Sequence, residues 1–411
     1  MRMLKNISLP NKINYENTVV SQDLTRWIIA QRDNFAFAIK DDLLEVSIDS
    51  SETWITSLVY DTSKIINAYI FRNGNIFFTT IDNKIFLTNY NLDEPVEKIM
   101  MDVDGVTPYT IHTPANALYP GRYFYTHKYM SDTTATDMLV FGNYCNVNFG
   151  ACPVAIYCTE DFGETFKVIY KFGQNPAYRD NGTSTASSST GTLLGDASNP
   201  IVTRHIHGVE YNEVGGYFVS FTGDSNKTSP IADEIHWMKH TPPSGETGWI
   251  HEEYDFGAPI EQTSRLKVGE GFFYNNYLWY GSDNTGTTDG TQNGLWRVYA
   301  DDIEDLSKHT RVITPTNPKD VYSCVKLDKT TNNILITAAN YEDALVTIRY
   351  LIIAKDFGFG SRQTHEFSGA DFIRLSSPSE KGFFRLDWSK FTVLKGRSFL
   401  IKAGDNLFNN K

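Results

Sequence analysis

The densest set of ionisable side chains in the sequence is Arg204-His205-Ile206-His207-Gly208-Val209-Glu210-Tyr211, joined by Asn212-Glu213-Val214-Gly215-Gly216 to Tyr217-Phe218-Val219-Ser220-Phe221-Thr222-Gly223-Asp224, with Glu234-Ile235-His236-Trp237 beyond. Read as successive antiparallel strands, it puts His205 and His207 on one face, because side chains two apart on a strand project the same way. The turn brings Asp224 back beside Arg204 and His205. Three chemistries suit such a group. Either histidine is a general base near neutral pH. His205, His207, Asp224 and His236 form an imidazole-carboxylate set for Zn²⁺ or Mn²⁺, with Ca²⁺ as a structural alternative. Asp224 with Asp283 or Glu234 offers the carboxylate pair of a glycoside hydrolase. The plain alternative is that each histidine is a satisfied structural group on a strand.

Strands must carry these side chains, because helical periodicity is almost absent and apolar runs recur at roughly 8–12-residue spacing with Asn, Gly and Asp between them. Asn73-Gly74, between Ile66-Asn67-Ala68-Tyr69-Ile70-Phe71 and Ile76-Phe77-Phe78-Thr79-Thr80, predicts a hairpin with a type I′ turn, both residues tolerating positive φ. Similar units of about four strands recur every roughly 40–60 residues, the pattern of β-propeller blades. The expectation is therefore an all-β fold, a single β-propeller of seven blades with six as the runner-up. Its blades would span 24–61, 62–103, 119–171, 203–256, 262–313, 320–368 and 371–411. Phe141-Gly142-Asn143, Thr222-Gly223-Asp224 and Gly281-Ser282-Asp283 each follow a second strand. In a propeller, the loop from second to third strand shares a rim with the loop entering the first. Asn143, Asp224 and Asp283 would then converge with Arg122, Arg204, His205 and Arg265, unless they are ordinary turn residues. Glu234, Trp237 and Arg297 are the further candidates for contacting a substrate at this funnel.

Bulk properties narrow the partners. The 411-residue chain is 14% aromatic and 21% charged and carries a formal net charge of −12. No nucleic acid is expected, since phosphate binding needs clustered Lys and Arg. No run approaches the ~18 apolar residues of a membrane span, so no membrane insertion is expected. The start, Met1-Arg2-Met3-Leu4-Lys5-Asn6, lacks the apolar core of a secretory signal. A cytoplasmic or virion-associated location, or secretion with the signal removed, all fit. Four cysteines, at 145, 152, 158 and 324, are too few for a disulfide scaffold. Cys145 and Cys152 either close a loop under oxidising conditions or pack as thiols.

Thr159-Glu160-Asp161-Phe162-Gly163-Glu164-Thr165-Phe166 resembles the Asp-box (BNR repeat) of sialidase-like propellers, and Ser47-Ile48-Asp49-Ser50-Ser51-Glu52-Thr53-Trp54 is a second copy with Ser51 in place of the glycine. The aspartate accepts backbone hydrogen bonds from its own turn, glycine supplies the left-handed step, and the aromatic packs between sheets. The resemblance implies that Asp161, Gly163, Thr165 and Phe166, and likewise Asp49 and Trp54, join third and fourth strands away from catalysis. No Phe/Tyr-Arg-Ile-Pro segment is present, so sialic acid cleavage is not implied. The Arg-His-x-His, Thr-Gly-Asp and Gly-Ser-Asp pattern is more similar to Asp-box propellers of polysaccharide-degrading bacteria and their phages, and to propeller polysaccharide lyases. Lyase chemistry on a uronate polymer would assign Arg204 and Arg265 to clamping the carboxylate, His205 or His207 to removing the C5 proton, and Tyr144 to protonating the leaving oxygen.

Two classes of function follow. One is an enzyme that cleaves a polysaccharide or oligosaccharide at the funnel, as a lyase or a hydrolase, with Tyr and Trp to stack on sugar rings. The other is a non-catalytic glycan-binding or structural protein, such as a phage tail or virion component, assembling with a virion or with copies of itself. The Ser/Thr/Gly-rich segment 174–200, expected to be a flexible non-strand insertion at the rim, would cover the ligand in either case.

Overall fold

The computed structural model describes residues 19–21, 26–32, 34–40, 43–49, 53–54, 56–61, 65–80, 82, 84–111, 130–132, 137–143, 154–173, 175–179, 193–194, 203, 206–222, 235–257, 264–283, 292–317, 320–329, 331–343, 346–367, 372–375, 383–389 and 397–402. Among the described residues no α-helix occurs, and helical turns are short 3-10 segments such as Ser264–Leu266. Seven antiparallel sheets succeed one another along the chain. Blade 1 is Arg26–Arg32, Phe35–Lys40, Leu43–Ser47 and Thr56–Val59; blade 2 is Ile65–Ile70, Asn75–Thr80, Ile85–Asn89 and Val96–Lys98. Blade 3 is Met130–Asp132, Leu139–Gly142, Ala155–Thr159 and Phe166–Lys171, with Met100–Met101 added in parallel at its outer edge. Blade 4 is Ile206–Asn212, Tyr217–Thr222, Trp237–Thr241 and Ile250–Glu253; blade 5 is Val268–Tyr274, Tyr277–Ser282, Leu295–Tyr299 and Thr310–Ile313. Blade 6 is Asp320–Asp328, Asn333–Asp343, Val346–Ala354 and Arg362–Phe367. Blade 7 is Phe372–Leu375, Phe383–Ser389 and Arg397–Lys402, and its fourth strand is Val19–Ser21 from the opposite end of the chain.

The first strands of blades 1, 3, 4, 5 and 6 lie against the next blade, blades 2 and 3 share a packed seam, and blade 7 in turn touches Arg26–Arg32, so the sheets form a closed ring. This is a β-propeller. Its core is a succession of seams. Phe37, Ile39, Ile70 and Phe78 fill the seam of blades 1 and 2, while Phe77, Phe141, Tyr157 and Phe166 fill that of blades 2 and 3. Phe221, Trp237, Leu278 and Tyr280 fill that of blades 4 and 5. Both faces of every sheet meet a neighbour, which explains why strands such as Tyr217–Thr222 are buried at every position instead of alternating. The N-terminal strand covers an edge of blade 7 that would otherwise be open to pairing.

Two local expectations need correcting. The hairpin at Asn73-Gly74 forms, but only Gly74 has a positive φ, +87°, and the Gly74 amide donates to the Phe71 carbonyl at 3.0 Å. That is a type I turn closed by a glycine bulge, not a type I′ turn. Consecutive positive φ values occur instead at Asn275 and Asn276, +49° and +60°, between the first two strands of blade 5. Segment 174–200 is not free of strands either, since Asn175–Arg179 pairs with Leu193–Leu194.

Candidate functional site

The first strands of blades 1, 2, 4, 5 and 6 each break register against their second strand near their start: at Ile28/Ala30, Ile65/Asn67, Ile206/Gly208, Val268/Gly271 and Tyr322/Cys324. Such a bulge inserts an unpaired residue and re-aims its side chain. In blade 4 the bulged residue is His207. Its imidazole is buried; Nδ1 lies 2.8 Å from the carbonyl oxygen of Val268 in blade 5, and 3.9 Å from a carboxylate oxygen of Asp283. A carbonyl only accepts, so Nδ1 carries the proton. Asp283 follows the second strand of blade 5, and its amide donates to the Lys267 carbonyl at 2.6 Å. His207 and Asp283 thus meet at the end of the sheets where first strands begin and second strands finish.

The other expected members fall into two groups. Tyr144, Arg122, Arg204, His205, Asp224 and Glu234 lie outside the described residues, as do Cys145 and Cys152. The rest have structural partners. Trp237 is fully buried and donates from Nε1 to the Leu266 carbonyl at 2.9 Å; it is a core residue of blades 4 and 5, not a sugar platform. Asn143 is fully buried as well, with Oδ1 accepting from the Ala155 amide at 2.9 Å and its carbonyl accepting from the Ile206 amide at 3.1 Å. It ties blade 3 to blade 4 instead of facing a substrate. The Arg265 guanidinium donates to the Leu306 carbonyl at 2.8 Å and lies 4.8 Å over the Trp296 ring. Arg297 sits over Tyr277, Trp279 and Phe359 at 5.0, 5.3 and 4.8 Å. Both arginines are held by aromatic packing, not set out as a clamp.

Of the expected metal set, His205 and Asp224 lie outside the described residues, and among the described residues no group of three His, Cys, Asp or Glu side chains converges. His207 is turned to Val268 and Asp283, whereas His236, at the start of the third strand of blade 4, pairs through Nδ1 with Glu253. Of the four cysteines, Cys158 and Cys324 are buried and in no disulfide, and the Cys324 thiol donates to Glu270.

The recurrent glycines have a packing cause. A Cβ on Gly142 would stand 2.5 Å from the Ile206 side chain of blade 4, and one on Gly281 would stand 2.2 Å from the Tyr322 carbonyl oxygen of blade 6. Each lies where the next blade's first strand presses on the second strand, so Gly142 and Gly281 mark close approach of sheets.

The turns at Asp161 and Asp49 adopt closely similar hydrogen bonding. Asp161 accepts from the Thr165 amide at 2.9 Å and hydroxyl at 2.6 Å, and the Gly163 amide donates to the Thr159 hydroxyl at 3.0 Å. Asp49 accepts from the Thr53 amide at 2.8 Å, the Thr53 hydroxyl, and the Ser47 hydroxyl at 2.7 Å. Both turns connect third to fourth strands; Phe166 is buried between blades 2 and 3, and Trp54 packs on Ile28, Ala36 and Ala38. A further Asp-Phe-Gly, Asp356-Phe357-Gly358, occupies the corresponding connection of blade 6 with φ values of +50°, +54° and +85°. Its tripeptide, identical to Asp161-Phe162-Gly163, was the visible signal.

An ionisable cluster the sequence reading missed joins the first strands of blades 4, 5 and 6. The carboxylate of Glu270 is buried, lies 3.0 Å from Lys326 Nζ, and accepts from the Cys324 thiol at 2.8 Å. Glu210 accepts from the Gly271 amide at 3.3 Å. Glu210 is half-buried and is pushed up to about 8, by burial first and by Glu270, with Lys326 opposing. Burial alone would lower Lys326, but Glu270, Cys324 and Glu210 prevail and hold it above the usual lysine range.

No protein-family model matches the chain, and no curated protein does. Solved structures resemble it at low identity. One described as YCF48 bound to D1 peptide aligns over 98% of this chain and all of its own, at 12% identity and a TM-score of 0.49. YCF48 from Cyanidioschyzon merolae aligns over 93% and 97%, also at 12% identity and 0.49. The computationally designed Ika8 protein aligns over 92% and 97%, at 9% identity and 0.42. The fold assignment rests on the sheets and their ring closure.

Proposed function

We propose that the protein is an Asp-box propeller of the sialidase-like kind that binds a glycan at the mouth between blades 4 and 5, with His207 and Asp283 among the groups that meet it. The observation that carries this reading is the approach of that imidazole to that carboxylate at 3.9 Å, on the end of the sheets where first strands begin. Arg204, His205 and Asp224 belong to the same proposal by their places in the sequence, next to His207 and after the second strand of blade 4. Binding without cleavage is favoured because Arg265, Arg297, Trp237 and Asn143 are engaged in packing. Cleavage is the second reading, favoured by the neighbouring carboxyls of Glu210, which burial raises to about 8, and Glu270, which lies 3.0 Å from Lys326 Nζ. Glu210, the more exposed of the two, would then be the group that meets the sugar.

A panel of uronate, sialylated and neutral oligosaccharides tests this by calorimetry, with absorbance near 235 nm and reducing-end assays run alongside. Binding that weakens about tenfold or more in Asp283→Ala, with no product, is the expected result. Binding to none of the panel would sink the glycan reading. An unsaturated or hydrolysed product would replace binding by catalysis.

A further inference from the structure

The inner wall of the ring narrows the chemistry of the glycan proposed at the mouth. From blade 3 through blade 7, and between blades 1 and 2, the first strands of neighbouring blades touch one another and make up that wall. On the strands of blades 4 and 5, His207 Nδ1 reaches the Val268 carbonyl, and three residues further along Glu210 accepts from the Gly271 amide. At roughly 3.3 Å per residue, Glu210 stands about 10 Å beyond the imidazole on the same pair of strands. It is half-buried, and its bonding is incomplete. One carboxyl oxygen receives the Gly271 amide over a long 3.3 Å, and the other makes no hydrogen bond among the described residues.

Positive groups on or beside this wall are already matched. Lys326 Nζ lies 3.0 Å from Glu270, whose carboxylate also receives the Cys324 thiol at 2.8 Å. Arg32, at the end of the first strand of blade 1, pairs with Asp137 at 2.9 Å. Arg265 and Arg297 are turned into seams, over Trp296 and over Tyr277, Trp279 and Phe359. Glu210 forms no ion pair of its own among the described residues, and a carboxyl drawn out of water without a counter-ion loses solvation that nothing replaces. Burial first, opposed by Lys326 and reinforced by Glu270, pushes it up to about 8, the response of a carboxyl short of positive charge.

We propose that the glycan carries a free amine, which Glu210 receives as an ammonium on the inner wall beyond His207 and Asp283. Resting on the glycan reading, this narrows the ligand to an amino sugar. An ammonium there supplies the counter-ion that Lys326, held by Glu270, does not, and donates a charge-assisted hydrogen bond to the idle carboxyl oxygen. A uronate would instead set its carboxylate among Asp283, Glu210 and Glu270, where like charges repel. An N-acetylated sugar keeps the ring and loses the charge, so it stands between the two.

Calorimetry on the whole protein tests the substrate class with glucosamine and N-acetylglucosamine oligomers of one length, alike but for the amine, and an oligouronate as the third arm. The amine form should bind about tenfold more tightly than the acetylated form, and the uronate more weakly than either. Glu210→Gln should remove the preference for the amine. Equal binding of the amine and acetylated forms, tighter binding of the uronate, or a preference that survives in Glu210→Gln overturns the amino-sugar proposal and leaves the glycan reading in place. Binding of none of the three, nor of the wider panel, defeats both. If Glu210→Gln does not fold, a crystal of the unmodified protein with the glucosamine oligomer decides. An amine nitrogen against the Glu210 carboxyl supports the proposal, and a sugar bound with its amines elsewhere overturns it.

Discussion

At the scale of single residues, the turn around Asp161 shows which part of a motif is replaceable. Asp161→Ala removes acceptors for the Thr165 amide and hydroxyl and for the Thr159 hydroxyl, all near the surface. Urea unfolding should register a loss of about 1 kcal/mol. Gly163 has φ +84°, and a Cβ there would lie 2.8 Å from both Phe71 and Leu87 of blade 2. Gly163→Ala combines backbone strain with overpacking of a seam and should cost about 2–4 kcal/mol in the same assay. If the two variants were equally stable, the glycine would not be what docks this turn on its neighbour. The sequence displays both residues, but only the seam with blade 2 explains why the glycine matters more. Ser51 in the first copy has no such test, since it lies outside the described residues.

At the scale of elements, the second and first strands of adjacent blades decide how tightly the ring packs. Gly281 has an ordinary strand conformation, so alanine is not strained there by its own backbone. The obstacle is the Tyr322 carbonyl, 2.2 Å from where the methyl group would sit. Gly281→Ala should lower stability by about 1–3 kcal/mol, read from the urea midpoint, while Gly248→Ala, in the open loop before the fourth strand of blade 4, should leave it within about 0.5 kcal/mol. Strand existence was legible from spacing and apolar runs. The bulges at the starts of the first strands were not, because a register shift depends on what the bulged residue meets across the seam, as His207 meets Val268.

At the scale of the whole molecule, stability should peak near neutral pH. Burial lowers His251 and His309 to about 4 and holds His240 well below the ordinary histidine range. Groups depressed in this way contribute in full above about 6.5, and their contribution is lost as pH falls towards 4. Glu210 has the opposite sign: raised to about 8 from 4.5, it supports the fold fully below about 4.5 and progressively less as pH rises through 8. Thermal melts should therefore fall on both sides, with Glu210→Gln flattening the alkaline limb alone. A melting temperature that keeps rising through pH 9 would contradict the assignment of Glu210. Ring closure makes a separate prediction. Deleting residues 1–21 removes the strand paired with Arg397–Lys402 and exposes that edge, so light scattering should show self-association that the full chain lacks.

Local chemistry written in the sequence determined much about this protein: strands and their turns, repetition into propeller blades, and the turns at Asp49 and Asp161, whose partners lie within a few residues of one another. Side-chain roles that depend on the next blade were decided by tertiary structure. Trp237, Asn143, Arg265 and Arg297 have the types of ligand-binding residues and are consumed by seams, while Glu210, Glu270 and Lys326 look unremarkable in sequence and become a coupled cluster. The physical reason is that each sheet is buried on both faces, so what a side chain can do is set by whatever the neighbouring blade presents to it. That neighbour is a whole blade away along the chain, beyond the reach of local pattern.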